Sequence, residues 1–143
     1  MILETFSLNG ALLSAGDQLV KDIGLTSARW QVLGAVALEE RPLTVAQIAR
    51  RMGLSRQAVQ RLVNELAAGG VLMLRENPDH KRAKLVALTK RGEVAYAEAD
   101  ERQVEWSNGL AVGISQRDIE NALTVLQSIN TRLQQDANEE GAG

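Results

Sequence analysis

The chain has 143 residues, of which 45% are hydrophobic and 24% charged, and it contains no cysteine. This length and composition are typical of a single globular domain that buries its own core without disulfides, thiolate metal sites or thiol switches. No apolar run approaches the roughly 20 residues of a membrane span, and the first residues lack the basic segment of a signal peptide. We therefore expect a cytoplasmic protein that has no membrane partner.

The overall charge of −2 conceals a strong separation of charge along the chain. Residues 41–92 contain 11 Lys or Arg and 3 Asp or Glu, a balance of +8, whereas the remainder contains 5 and 15, a balance of −10. A basic centre between acidic arms favours a polyanion that contacts one part of the molecule.

Two helices are predicted before the basic centre. The first covers residues 3–23 and ends at Gly24, and its apolar residues form one seam with alternating spacings of four and three: Leu8, Leu12, Ala15, Leu19 and Ile23. The second covers residues 27–39 with Thr26 as its N-cap. Its buried face is expected to contain Trp30, Leu33, Val36 and Ala37.

The basic centre begins with a helix-turn-helix pattern. After a turn at 41–43, Thr44 and Gln47 match the capping box S/T-x-x-E/Q, which predicts a helix that Gly53 ends. Ser55 stands at the N-cap position of a second helix, which extends to Leu66. Two short helices joined by a tight turn are typical of helix-turn-helix units.

The helix at 55–66 has two unlike faces. Val59, Leu62, Val63 and Leu66 follow the i, i+3, i+4, i+7 spacing of a buried stripe. The opposite face carries side chains that can hydrogen-bond to base edges in a DNA major groove: Arg56, Gln57, Gln60, Arg61 and Asn64. The alternative is a solvated amphipathic helix, and the neighbouring elements favour DNA recognition.

A β-hairpin is predicted directly after this helix. Residues 71–75 and 84–88 have the composition of strands, and Lys81 and Arg82 lie near the tip of the loop between them. A basic hairpin beside a helix-turn-helix is a wing whose tip, together with Lys84, can reach phosphates or the minor groove. The alternative is a solvated surface hairpin.

Two helices are predicted at the C-terminal side, over residues 90–112 after Thr89 and from the Ser115–Asp118 capping box to about residue 137, before a disordered tail at 138–143. The apolar stripes of the first and last helices exceed what a winged domain can cover, so we expect a homodimer. Its predicted contact residues are Leu8, Leu12, Leu19, Ile119, Leu123, Leu126, Ile129 and Leu133. Two-fold symmetry would present the reading helices about 34 Å apart on a pseudo-palindromic site.

These elements together predict a mainly α fold with a small β-hairpin wing. The winged helix-turn-helix domain is expected at 26–89, and the helical dimerisation region at 1–25 and 90–137. The residues expected to contact DNA are Thr44, Ser55, Arg56, Gln57, Gln60, Arg61, Asn64, Lys81, Arg82 and Lys84.

The run from Leu43 to Gly92, LTVAQIARRMGLSRQAVQRLVNELAAGGVL with the later ENPDHKRAKLV and ALTKRG, resembles the MarR family of bacterial winged-helix regulators. The resemblance implies a triangular homodimer whose terminal helices interlock and whose winged domains bind operator DNA. It also implies a repressor released by a small aromatic or lipophilic anion bound between the dimer base and the winged domain. By position, the residues that match the family's major-groove face are Ser55, Arg56, Gln57, Gln60 and Arg61.

One position in the wing departs from the family pattern. Arg82 matches the wing-tip arginine, but the aspartate that usually stands two residues before it and pairs with it is replaced by His80. Either Asp79 takes over this role or the wing is held differently.

The leading hypothesis is thus a dimeric, sequence-specific DNA-binding regulator that responds to a ligand. The alternative is a small-molecule sensor or interaction module on a winged-helix scaffold that does not read DNA. An enzyme is disfavoured, because a chain with one histidine, no cysteine and no phosphate-binding glycine loop offers no constellation for catalysis. We expect no catalytic residue, metal or cofactor, and the pattern assigns no residue to the effector.

Overall fold

The computed structural model describes residues 1–140, and the side chains of residues 1–136. Within them lie six α-helices and three short strands: α1 Ile2–Val20, α2 Ser27–Ala37, β1 Leu43–Thr44, α3 Val45–Met52, α4 Arg56–Ala68, β2 Leu72–Arg75, β3 Leu85–Leu88, α5 Lys90–Leu110 and α6 Gln116–Glu140. The predicted fold class, a mainly helical chain with a winged helix-turn-helix, is confirmed. None of the helices described here combines the length and the apolarity that a membrane span requires.

The chain divides into two compact units, Met1–Val104 and the part from Glu105 onward. The first unit contains the hydrophobic core, whose largest fully buried side chains are Leu33, Ile48, Val20, Val32, Val59, Val63 and Val86. These come from α1, α2, α3, α4 and β3, so the elements of the basic centre share one core. The second unit contains the end of α5, a turn at Gly113 with φ of 82°, and α6.

The sheet has three antiparallel strands in the order β1, β3, β2, and this differs from the predicted two-stranded hairpin. Residues 41–43 were expected to form a turn, but Leu43 pairs with Val86 and Thr44 with Leu85. The reason lies in the helix cap. Thr44 precedes α3 with the extended backbone that an N-cap requires, φ −79° and ψ 159°. An extended segment beside the free edge of β3 can complete the sheet.

Five predicted helix ends need correction, among them that of α4, which ends at Ala68 instead of Leu66. Helix α1 ends at Val20 and continues as a 3-10 turn, Lys21–Ile23, because Gly24 adopts φ of 77° and its N–H donates to the carbonyl of Lys21. Helix α2 ends at Ala37 instead of residue 39, and α5 ends at Leu110 instead of residue 112. Helix α6 runs to Glu140 and so includes the first three residues of the predicted tail, 138–143. The last three residues of that tail lie outside the described residues.

Helix α1 approaches the start of α2 very closely at Gly16. The hydroxyl of Ser27 donates to the carbonyl of Leu13 at 2.6 Å, and the N–H of Ser27 donates to Oδ1 of Asp17 at 2.7 Å. A Cβ at Gly16 would lie only 2.5 Å from Oγ of Ser27. The absence of a side chain at Gly16 therefore allows α1 to pack closely against the start of α2.

Candidate nucleic-acid interface

The first helix of the helix-turn-helix begins with the predicted capping box. The N–H of Gln47 donates to Oγ1 of Thr44 at 3.3 Å, while the N–H of Thr44 donates to Oε1 of Gln47 at 2.8 Å. The Thr44 hydroxyl also donates to the same amide oxygen at 3.0 Å. Helix α3 ends at Gly53 in the left-handed conformation, φ 64°, which makes the tight turn into α4 possible.

Helix α4 is oriented by its cap and by its buried stripe. Oγ of Ser55 accepts a hydrogen bond from the N–H of Ala58 at 3.1 Å, which confirms the predicted N-cap. The predicted apolar stripe is buried in the core: Val59, Leu62, Val63 and Leu66. Because these four fix the inner face, the outer face is solvent-exposed along its whole length, with Arg56, Gln57, Gln60, Arg61 and Asn64.

The exposed side chains of α4 differ in the hydrogen bonds and ion pairs that they form. Nε2 of Gln60 donates to Oδ1 of Asn64 at 2.9 Å, so these two are paired one turn apart. Nε of Arg61 lies 4.0 Å from Oε1 of Glu65, and the Arg61 side chain is 75% exposed. Oε2 of Glu65 accepts from Nη2 of Arg29 at 3.0 Å. Glu65 is therefore held mainly by Arg29, and the guanidinium of Arg61 remains available for an outside partner.

The loop of the wing is held by local hydrogen bonds between residues 77 and 83. The N–H of Asp79 donates to Oδ1 of Asn77 at 3.0 Å, and the N–H of His80 donates to the carbonyl of Asn77 at 3.2 Å. The N–H of Ala83 then donates to the carbonyl of His80 at 3.0 Å. In the described residues no ion pair joins Asp79 to Arg82. Of the two alternatives from the sequence, the wing held differently is the one observed.

A cavity of about 320 Å³ lies between the wing and α4. It brings together five of the residues predicted to contact DNA, Thr44, Arg56, Gln60, Arg82 and Lys84, and the rest of its lining is Val45, Ala46, Leu74, His80 and Ala83. The remaining predicted contacts, Ser55, Gln57, Arg61, Asn64 and Lys81, are exposed outside it. None of its lining residues is acidic, so the cavity is suited to an anion.

Among the polar and charged residues that line the cavity, His80 is the one that the sequence did not assign to this surface. Its position two residues before Arg82 departs from the family pattern. The signal that could have identified it is its place among Arg56, Arg82 and Lys84, and that depends on how the wing folds back toward α4.

The salt bridges of the basic centre involve few of the residues that were predicted to contact DNA. Arg51 pairs with Glu39, and Lys90 pairs with Glu93 at 3.5 Å, both away from the cavity. Within the part of the chain that the structure describes, Arg56, Arg82 and Lys84 form no salt bridge. These cations are free to meet phosphates.

Two larger hollows lie beside α2 in the first unit, each of about 640 Å³. One lies between the start of α2, the end of α4 and the start of α5, and its lining includes Leu25, Leu66 and Val94 together with the Arg29–Glu65 pair. The other lies between the end of α2 and α3, where Leu38 and Met52 contribute. Both volumes fall within the range of small-molecule sites.

The residues predicted to form a dimer contact are mostly exposed. Leu8 and Leu12 on α1, and Ile119, Leu123, Leu126 and Leu133 on α6, are between 41% and 62% exposed. Ile129 is half-buried. Leu19 differs from the others because it packs against the core of its own unit, which leaves less of it for a partner.

Known proteins are similar to this chain in sequence and in fold. The sequence pattern of the MarR family matches residues 23–83, from the 3-10 turn to the wing. TcaR, an HTH-type transcriptional regulator of Staphylococcus aureus, is 28% identical over 138 residues that cover 92% of this chain and 88% of TcaR. The chain belongs to the MarR family of transcription regulators.

Two other relatives of this MarR-family chain extend the comparison. The protein Rv2011c of Mycobacterium tuberculosis is 40% identical over 111 residues, which cover 78% of this chain and 76% of that protein. The crystal structure of CouR from Rhodococcus jostii RHA1, bound to p-coumaroyl-CoA, superposes with a TM-score of 0.79 at 25% identity and covers 87% of each chain. The winged helix-turn-helix described above is thus the fold of a transcription regulator.

Proposed function

We propose that this MarR-family regulator is a homodimer that binds double-stranded operator DNA and acts as a ligand-responsive repressor. The observation that carries the proposal is the row of solvent-facing cations on α4 and the wing, most of which form no salt bridge. Arg56, Arg82 and Lys84 have no salt-bridge partner among the described residues, and Arg61 is 75% exposed. Free cations on a helix-turn-helix are what phosphate and base contacts need.

Side-chain chemistry suggests which of these residues contact bases and which contact phosphates. Arg56 and Arg61 would donate pairs of hydrogen bonds to guanine O6 and N7 in the major groove, while Gln57 and Gln60 would pair with adenine. Gln60 must first exchange its bond to Asn64 for the base contact. Lys81, Arg82 and Lys84 would bind phosphates or enter the minor groove beside the reading helix.

A second copy of the chain would cover the exposed apolar helix faces. On α6, Ile119, Leu123, Leu126 and Leu133 follow helical spacing and are all more than 40% exposed, which is costly for a monomer in water. Two-fold pairing would present two α4 helices to successive major grooves about 34 Å apart, so the operator would be a pseudo-palindrome.

A small aromatic or lipophilic acid is the proposed effector. The two hollows beside α2 have apolar linings interrupted by a few charged side chains, the usual composition of small-molecule sites. CouR, which shares the fold, was crystallised with p-coumaroyl-CoA. Binding at chromosomal operators would also make the protein cytoplasmic.

An electrophoretic mobility assay on the DNA flanking the chain's own gene tests the proposal. The expected result is a discrete complex that survives excess non-specific DNA and dissociates when a suitable aromatic acid is added. Light scattering on the same sample should give twice the 15.5 kDa chain mass. A folded protein that binds the effector but shifts none of the flanking DNA at low salt would instead be a sensor without DNA-reading function.

A further inference from the structure

His80, the only histidine of the chain, lines the cavity between the wing and α4. The charged groups around this cavity are Arg56 from α4, and Arg82 and Lys84 from the wing; Thr44 and Gln60 add neutral polar groups. Asp79 precedes His80 in the chain, but it does not line the cavity. The lining therefore combines three cationic residues with one histidine and contains no acidic residue.

The backbone of His80 forms hydrogen bonds, whereas its side chain forms none among the described residues. The N–H of His80 donates to Asn77, and its carbonyl accepts from Ala83, at 3.2 and 3.0 Å. Within the described residues the exposed imidazole makes no hydrogen bond or ion pair. It can therefore take up a proton and donate to an oxygen without losing a contact in the free protein.

We infer that His80 binds a DNA backbone phosphate in this cavity as an imidazolium, so that the affinity of the protein for DNA rises as the pH falls. The inference rests on the proposed DNA-binding function and adds a residue and a form of regulation to it. It predicts that formation of the complex takes up a proton at His80.

The direction of the pH effect follows from the charges that face the cavity. An imidazole ordinarily changes charge between about pH 5 and 8, whereas the side-chain types Arg, Lys and Asp ordinarily do not. A phosphate in contact with the imidazole favours its charged form. Affinity should therefore increase on going from about pH 8 to about pH 6, and one more phosphate contact per protomer should steepen the salt dependence by about 0.9 in slope per protomer.

Fluorescence anisotropy with a labelled operator fragment, at constant ionic strength, tests this inference. For the parent protein we expect about five- to tenfold tighter binding at pH 6 than at pH 8. His80→Gln should keep the weaker affinity at both pH values, and His80→Lys the tighter one. Lys81→Gln is the matched control, because it removes a neighbouring wing charge and should weaken binding without changing its pH dependence.

The outcomes separate this inference from the proposed function. If the parent and His80→Gln bind the operator with the same pH dependence, His80 is not the proton-linked contact and the inference is wrong, while the regulator remains. If the parent protein binds no DNA at any pH, the proposed function fails and this role of His80 fails with it. Calorimetry in two buffers of different ionisation enthalpy should detect proton uptake by the parent and none by His80→Gln.

Discussion

Arg102 on α5 holds the carboxylate of Asp22 with two parallel hydrogen bonds, Nη1 to Oδ1 and Nη2 to Oδ2, the second at 2.9 Å. Nη1 also donates to the carbonyl of Leu19 at 3.0 Å, and Nη2 donates to Oε1 of Glu98 at 2.7 Å. One guanidinium thus joins the C-terminal end of α1 and the following 3-10 turn to α5. These bonds are the main reason that the pKa of Asp22 lies below its ordinary value.

Replacing Arg102 should separate the contribution of its planar geometry to stability from the contribution of its charge. Arg102→Lys keeps the charge but loses the planar fork that holds two carboxylate oxygens and a carbonyl at once, so we expect it to lower the thermal midpoint. Arg102→Ala should lower it further. A midpoint for Arg102→Lys equal to that of the parent would show that only the charge is needed.

The same pair predicts a pH dependence of stability. Because the folded state lowers the pKa of Asp22, the unfolded chain binds the proton more readily, and the stabilisation is present above the ordinary carboxyl range. It should disappear as the pH falls through the lowered folded value. The difference in urea midpoint between the parent and Asp22→Asn should be largest above about pH 5 and shrink toward about pH 2. A constant difference across this range would contradict the pairing.

A methyl group at Gly16 should destabilise the protein by about 1–3 kcal/mol, because its Cβ would lie 2.5 Å from Oγ of Ser27 in a closely packed contact. Gly10→Ala on the same helix is the matched control. Its Cβ would meet nothing within 4 Å, so better helix propensity should stabilise the protein by about 0.5–1 kcal/mol. Urea unfolding of each variant measures both effects.

The Ser27→Ala background tests the cause of that loss. Without the hydroxyl, the nearest atoms to a Cβ at residue 16 would be Cβ of residue 27 at 3.6 Å and Cζ3 of Trp30 at 3.7 Å, which are ordinary contacts. Gly16→Ala should therefore cost little in this background, although Ser27→Ala alone loses the bond to Leu13. An undiminished cost in the double variant would place the strain elsewhere.

Whether a feature could be predicted from the sequence depends on how far apart its interacting residues lie along the chain. The caps at Thr44 and Ser55 involve partners three residues away, and both were predictable from spacing alone. Strand β1 was not, because its two residues become a strand only by pairing with Leu85 and Val86, which follow some 40 residues later. The Arg102–Asp22 contact spans 80 residues and has no sequence signal at all.

The candidate site divides in the same way. Helical periodicity predicted which side of α4 is solvent-exposed, because the buried stripe of Val59, Leu62, Val63 and Leu66 leaves one possible outer face. It could not predict that Gln60 is paired with Asn64, nor that His80 lines a cavity with Arg56. Both depend on side-chain and loop positions that periodicity does not define.

Charged substitutions on α6 should disrupt the proposed dimer. Leu123→Glu and Leu126→Glu would each place a carboxylate where burial of leucine is expected to contribute about 1.5–3 kcal/mol per copy. We expect each variant to dissociate at micromolar concentration and to lose operator affinity by more than about tenfold. Ser128→Glu, also exposed on α6, is the control for added charge. Light scattering with circular dichroism measures assembly and fold together, and a helical, dimeric Leu126→Glu protein would exclude this face.

Substitution of Arg61 on α4 and of Arg82 in the wing should change DNA affinity in different ways. Arg61→Ala removes a major-groove contact and should weaken operator binding by about 1–3 kcal/mol, with little effect on non-specific DNA. Arg82→Ala removes a phosphate contact in each wing, so it should weaken binding to all sequences alike and flatten the salt dependence by about 0.9 in slope per protomer. Arg117→Ala, which removes the same charge from exposed α6, is the control. Titrations at several salt concentrations, on operator and scrambled DNA, separate the two effects. If Arg61→Ala and Arg82→Ala both bound like Arg117→Ala, the outer face of α4 and the wing would not be the surface that contacts DNA.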